Sequence, residues 1–125
     1  MKGTVMKDKK RGQKPNCETF SEANFQEEVK DSRLPVLAVF EADWSGTCHI
    51  MTPIIEDLCR QFRGRVKIGM VDIESNVKLA ASCGIQKPPS LVFFNNGEIV
   101  DMITGSVPKQ MISDKLNDLV VPTDR

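Results

Sequence analysis

Five short apolar runs alternating with helical stripes predict one α/β domain, in the order β-α-β-α-β-α-β-β-α. Three observations carry that expectation. Pro35–Glu41 is an unbroken β-rich run of the kind that forms a strand buried on both faces. Directly after it, Ile50, Ile54, Ile55, Leu58 and Phe62 recur at helical spacing and make one apolar face. Further on, Leu91–Phe94 and Ile99–Thr104 flank Asn95-Asn96-Gly97-Glu98, a turn signal that joins two strands in a hairpin. A chain of 125 residues is long enough for one real core and too short for two comfortable ones.

The elements follow in order. Residues 1–16 are polar and aperiodic and are expected to be a flexible basic tail, with six Lys/Arg against one Asp. The domain is expected over 17–121. Cys17–Phe20 reads as a short edge strand. Ser21 reads as the N-cap of a first helix, with Glu22 in its first turn and Phe25 and Val29 turned inward at i and i+4. That helix should stop near Asp31–Ser32, before the Leu34-Pro35 step. The strand at 35–41 is followed by a helix from about 45 to 63, with Gly64 at its C-terminal end. Arg65–Asp72 is the next strand and Asn76–Ala81 a short helix. Lys87-Pro88-Pro89-Ser90 leads into the hairpin, and Gly105 breaks its second strand. Pro108 opens a last helix with Met111, Ile112, Leu116 and Leu119 among its apolar residues. Residues 122–125 are expected to be a C-terminal tail.

Composition excludes several classes. Formal net charge is zero, which gives no whole-chain argument for nucleic acid or a membrane surface. The start of the chain lacks the apolar core of a signal peptide, and no run approaches the roughly 20 apolar residues that span a bilayer. Four widely spaced cysteines, Cys17, Cys48, Cys59 and Cys83, favour reduced thiols in a cytoplasm. In an exported chain they would allow three pairings, among which spacing does not choose. A monomer is expected.

Where the apolar strand hands over to the helix stands Trp44-Ser45-Gly46-Thr47-Cys48. A strand that ends in W-x-G-x-C and opens a helix resembles the thioredoxin family, whose redox motif there is W-C-G-P-C. The resemblance extends over about residues 18–120. It includes Pro53 inside the motif helix, Asp72 closing the third strand, Pro89 where the family has a cis-proline, the N-G-E hairpin and Gly105. It implies a thioredoxin-like fold: a central mixed sheet of about five strands flanked by about four helices. It implies a protein partner or a thiol/disulfide substrate, held by Trp44, Gly46, Thr47, Pro88 and Pro89, and no cofactor.

At its most important position the motif departs from the family. A dithiol site needs a first cysteine at the helix N-terminus, where unpaired N–H groups and the dipole stabilise a thiolate, and a second that resolves the mixed disulfide. Here the first position is Ser45, whose hydroxyl does not ionise at neutral pH and cannot join a disulfide. The simplest role for Ser45 is a helix N-cap. A Ser nucleophile would need a base, and His49, one turn on, is the only histidine. Cys48 remains, either as a buried inert thiol or as a monothiol site. Cys59 lies roughly 16 Å further along the same helix, beyond disulfide reach of Cys48. Cys59 and Cys83 are read as structural thiols, with Cys83 on a loop that could approach the motif.

Further departures agree. Family members that reduce disulfides carry a buried Asp on the second strand and a Lys on the third, matched here by Val39 and Met70, neither of which moves a proton. The motif proline is Thr47. Pro88, before the cis-proline position, has no N–H to offer an extended substrate. Adjacent on one helix, Cys48 and His49 diverge by about 100°, and no C-x-x-C completes a metal set. The readings are therefore a thioredoxin-like protein with an incomplete dithiol site, a non-catalytic binding module on the same face, or an ordinary member with a substituted cysteine. Val39, Met70 and Pro88 oppose the last.

Overall fold

The computed structural model describes residues 17–120, so the expected tails at 1–16 and 122–125 lie outside the described residues. The strands are β1 Glu18–Thr19, β2 Val36–Glu41, β3 Lys67–Asp72, β4 Ser90–Asn95 and β5 Glu98–Thr104. A short π-helix, Gln26–Lys30, follows β1; α1 is Gly46–Gln61, α2 Val77–Ser82 and α3 Lys109–Val120. One five-stranded sheet has the order β1-β3-β2-β4-β5. It is mixed: β1 and β2 run parallel to β3, whereas β4 is antiparallel to β2 and β5. This is the thioredoxin-like α/β architecture expected from the sequence. No helix among the described residues is long and apolar enough to cross a membrane.

The core is divided by β2. Alternation sends Leu37 and Val39 to a layer shared with Met51, Ile55 and Leu58 of α1 and Ile112 and Leu116 of α3. Val36, Ala38 and Phe40 point the other way, onto Val29 of the π-helix and Leu79 and Ala80 of α2. Each large side chain buried in this way contributes roughly 1.5–3 kcal/mol relative to exposure. In α1 the inward stripe is Cys48, Met51, Ile55, Leu58 and Cys59. Ile50, expected in that stripe, is 65% exposed, because the buried arc centres on Met51 rather than its neighbour.

The first helix differs most from expectation. Ser21 does not cap it through its side chain. Instead Asn24 Oδ1 accepts the Ser21 N–H at 2.8 Å, and the chain forms a turn before winding into the π-helix, where Asp31 N–H reaches back to the Gln26 carbonyl. Glu22 is drawn off to another element. Its Oε2 accepts from the N–H groups of Lys78 (2.9 Å) and Leu79 (3.1 Å), satisfying the free donors at the start of α2. Asn76 completes the clasp: its Oδ1 accepts the Glu22 N–H and its Nδ2 donates to the Asp72 carbonyl. Phe25 and Val29 do turn inward, Phe25 edge-on to Phe94 at 5.5 Å.

Two glycines permit close approach. A Cβ on Gly69 of β3 would stand 2.5 Å from the Phe20 ring, so the bare backbone there makes the slot into which Phe20 packs. Gly97, at φ +81 in the β4–β5 turn, would place a Cβ 2.5 Å from the Lys30 carbonyl oxygen. That turn closes against the end of the π-helix.

The cysteines correct the expectation of four free thiols. Cys17 and Cys59 are joined in a disulfide across 42 positions of sequence, and Cys48 and Cys83 are free. Helical spacing excluded only a Cys48–Cys59 bond. Pairing of β1 with β3 carries Cys17 to the last turn of α1, and no local pattern encodes that.

Two ion pairs hold α3: Lys109 with Asp57 of α1, and Lys115 with Asp101 of β5. Each lysine holds its aspartate below the usual carboxylate range. A lowered folded-state value means that the contribution is present above the unfolded value, about 3.9, and is lost as pH falls through the lower folded one. The pairs are solvent-screened, so urea titrations should show only a shallow loss of stability in that acid window, removed by Asp57→Asn and Asp101→Asn together. Gly69→Ala should cost about 1–3 kcal/mol, seen as a lower urea midpoint at unchanged slope, because the Phe20 ring must leave its slot.

Candidate functional site

The site forms where β2 runs out. Ser45 N–H donates to the Ala42 carbonyl at 3.1 Å, turning the chain into α1. Ser45 itself is extended (φ −93, ψ 116), and its Oγ accepts the Cys48 N–H at 3.2 Å. This is N-cap geometry: the hydroxyl satisfies one of the unpaired donors of the first turn. No acidic residue stands in that turn, so a neutral oxygen faces the positive end of the helix dipole.

Cys48 follows one turn in, 3% exposed. Its N–H is taken by Ser45, and its carbonyl accepts from Thr52 Oγ1 at 2.9 Å. Beyond it, Pro53 lies inside α1 and removes the N–H that would bond the His49 carbonyl. The His49 ring turns outward, with Nε2 2.7 Å from the Asp43 carbonyl, a contact that needs the proton on Nε2. Ser45 and His49 side chains thus serve different partners and do not form a nucleophile–base pair.

Beneath α1, Val39 and Met70 are direct partners in the β2–β3 register and belong to the same cluster as Met51 and Ile55. The layer under the motif is apolar. Among the described residues, the side chains placed there neither take nor give a proton.

The turn before β4 reaches the same end of the sheet, since Ser90 pairs with Phe40 of β2 and Thr104 of β5. The Pro88–Pro89 peptide is cis. Pro89 is buried, its carbonyl accepts the Gly105 N–H at 2.8 Å, and buried Ser90 donates through Oγ to the Lys87 carbonyl. Pro88 is half-buried and offers no backbone donor. On the motif side Trp44 is 65% exposed, Thr47 half-buried and Gly46 exposed. A Cβ on Gly46 would meet nothing within 4 Å, so packing does not demand glycine there. Trp44 and Ile50 leave this end of the molecule with an apolar surface.

Cys83 does not approach the motif. It packs with Val29, Ala80 and Val92, on the face of the sheet opposite α1, because α2 covers that face. Burial pushes its thiol pKa up, against smaller opposing effects of Ser82 and Lys30. Among the described residues, no group of three or more His, Cys, Asp or Glu side chains is gathered to hold a metal ion.

The thioredoxin family profile matches residues 16–118. The chain is similar to the thioredoxin of Synechocystis sp., with 38% identity over 96 residues, covering 77% of this chain and 90% of that one. Thioredoxin 1 of Nostoc sp. is 36% identical over 96 residues, covering 77% and 90%. The thioredoxin of Rickettsia felis is 35% identical over 97 residues, covering 78% and 92%.

Removing the cap should destabilise the protein: Ser45→Ala is expected to cost about 0.5–2 kcal/mol in thermal unfolding, with Ser45→Asp retaining the cap and complementing the dipole. Cys83, with its raised pKa, should label with iodoacetamide at neutral pH far more slowly than in the urea-unfolded chain.

Proposed function

Because this chain belongs to the thioredoxin family, we propose that it is a thioredoxin-like protein whose motif has lost two-thiol turnover, Cys48 remaining as a single covered thiol. The observation that carries this reading is the Ser45 hydroxyl bonded to the Cys48 N–H at the head of α1. Oxygen at that position accepts a helix hydrogen bond as well as any cap does, but it cannot bond to a substrate sulfur and leave again. Cys48 alone forms at most one mixed disulfide and has no motif partner to resolve it. The apolar Val39–Met70 layer agrees, since the described residues below the motif include no side chain there that could relay a proton.

A second reading, a protein-binding module without redox turnover, is favoured by the exposed Trp44 and Ile50 beside the Pro88–Pro89 turn. An extended partner segment would meet Trp44, Gly46, Thr47, Pro88 and Pro89. It would lack the donor that Pro88 does not have, at a cost of about 0.5–1.5 kcal/mol. The protein would act as a monomer. With Cys17 bonded to Cys59, cysteine usage no longer favours a reducing compartment over an oxidising one.

An insulin-reduction assay tests the reading. The chain should stay near the uncatalysed rate. Ser45→Cys should restore slow turnover, and adding Val39→Asp should raise it further, since a placed proton acceptor contributes of the order of 10²-fold or more. Turnover by the unaltered chain at the rate of an ordinary thioredoxin, abolished by Cys48→Ser, would overturn it. Alkylation at graded pH separates the two readings: fast labelling at Cys48 supports a thiol role, and silence there supports the binding module.

A further inference from the structure

We propose that the Cys17–Cys59 pair is a second thiol–disulfide exchange centre, at the opposite end of α1 from Cys48, that takes electrons from small dithiols. Its placement separates it from the motif. Cys48 is in the first turn of α1, at the C-terminal end of β2, whereas Cys59 is in the last turn, beside the start of β1. The two ends of the bond differ in access. Cys59 is 2% exposed within the core, while Cys17 is half-buried on the outer edge of the sheet.

A surface cavity of about 120 Å³ lies on the Cys59 side of this bond, with Cys59, Glu18, Arg63 and Lys67 in its wall and Cys17 outside it. Lys67 is committed to Glu28, donating to its carboxylate at 3.0 Å and its carbonyl at 2.9 Å. Arg63 is exposed and brings a cation to a wall that also carries the Glu18 carboxylate. Opening the bond does not require β1 to detach. Phe20 is held independently, its ring in the Gly69 slot and its N–H on the Met70 carbonyl at 2.9 Å. The anchor lies three residues beyond Cys17, so the disulfide is not what keeps the strand in place.

The exchange runs as two displacements. A thiolate of the dithiol bonds to Cys17 Sγ, the protein S–S bond breaks, and its electron pair goes to Cys59 Sγ. The released Cys59 sulfur takes up a proton from water. The second thiolate of the reagent then attacks the reagent sulfur held on Cys17, closing the reagent's own disulfide and releasing Cys17, which is protonated in turn. Two electrons pass from the dithiol to the protein.

Dithiothreitol is the probe. The oxidised, folded chain is equilibrated in graded ratios of reduced to oxidised dithiothreitol, quenched with iodoacetamide and mapped by mass spectrometry, with circular dichroism recorded alongside. Cys17 and Cys59 should gain label together, with the native spectrum retained and labelling at Cys48 and Cys83 unchanged. A bond that opens only when the fold is lost in urea, or its absence from the air-oxidised protein, would overturn the proposal. The site of attack is read from single variants exposed to glutathione disulfide. Cys59→Ser should be glutathionylated at Cys17 at least tenfold faster than Cys17→Ser is at Cys59, and equal or reversed rates would overturn the assignment of Cys17. Any insulin reduction that survives Cys48→Ser but is lost in the double variant Cys17→Ser/Cys59→Ser would support this centre while leaving the reading of the motif intact.

Discussion

Burial of β2 on both faces is the constraint from which the rest of the structure follows. Val36 to Phe40 are all buried, so the strand needs a helical layer on each side and a hydrogen-bonded strand at each edge. β3 and β4 supply the edges. α1 and α3 cover Leu37 and Val39; the π-helix and α2 cover Val36, Ala38 and Phe40. Because α1 begins where β2 ends, the same constraint places the head of α1 beside the turn that opens β4. The candidate site is a consequence of how the sheet is covered.

At the head of α1, one atom separates two chemistries. A helix N-terminus offers unpaired N–H groups and a positive dipole end, and either a thiolate or a neutral hydroxyl satisfies it. Ser45 keeps the structural half of that relation: its oxygen binds the Cys48 N–H and the turn is closed. An oxygen at that position forms no bond to sulfur that can be exchanged. Below it, Val39 and Met70 lie in the apolar layer, whose packing contributes to stability. α1 thus carries a covered thiol in its first turn and a disulfide in its last, and the dipole presents opposite signs to the two sulfurs.

Glu22 and Asn76 show how tertiary contacts override local preference. By spacing, Glu22 belongs to the first turn of its own helix, yet its carboxylate bridges two amides of α2 more than fifty residues away. Those amides sit at a helix start where Asn76, the capping residue by position, turns its side chain back to Glu22 and Asp72. Asn76 Oδ1 accepts the Glu22 N–H, and the Glu22 carboxylate accepts the Lys78 and Leu79 N–H groups of the helix that Asn76 precedes. The first helix is a single π-helical turn, and only its inward residues, Phe25 and Val29, match the periodic pattern.

Features that rest on near neighbours were therefore legible in the residues alone. The order of elements, the Asn95–Glu98 hairpin, the cap at Ser45 and the apolar residues at 39 and 70 each depend on spacing of a few positions or on side-chain chemistry at one. Others depend on which elements meet. The bond between Cys17 and Cys59, the slot that Gly69 opens for Phe20 and the withdrawal of Cys83 to the far face of the sheet all join residues distant in sequence. Periodicity reports which face of an element is apolar and is silent about what lies against it. Strand order in the sheet decides that, and with it which sulfurs come within bonding distance.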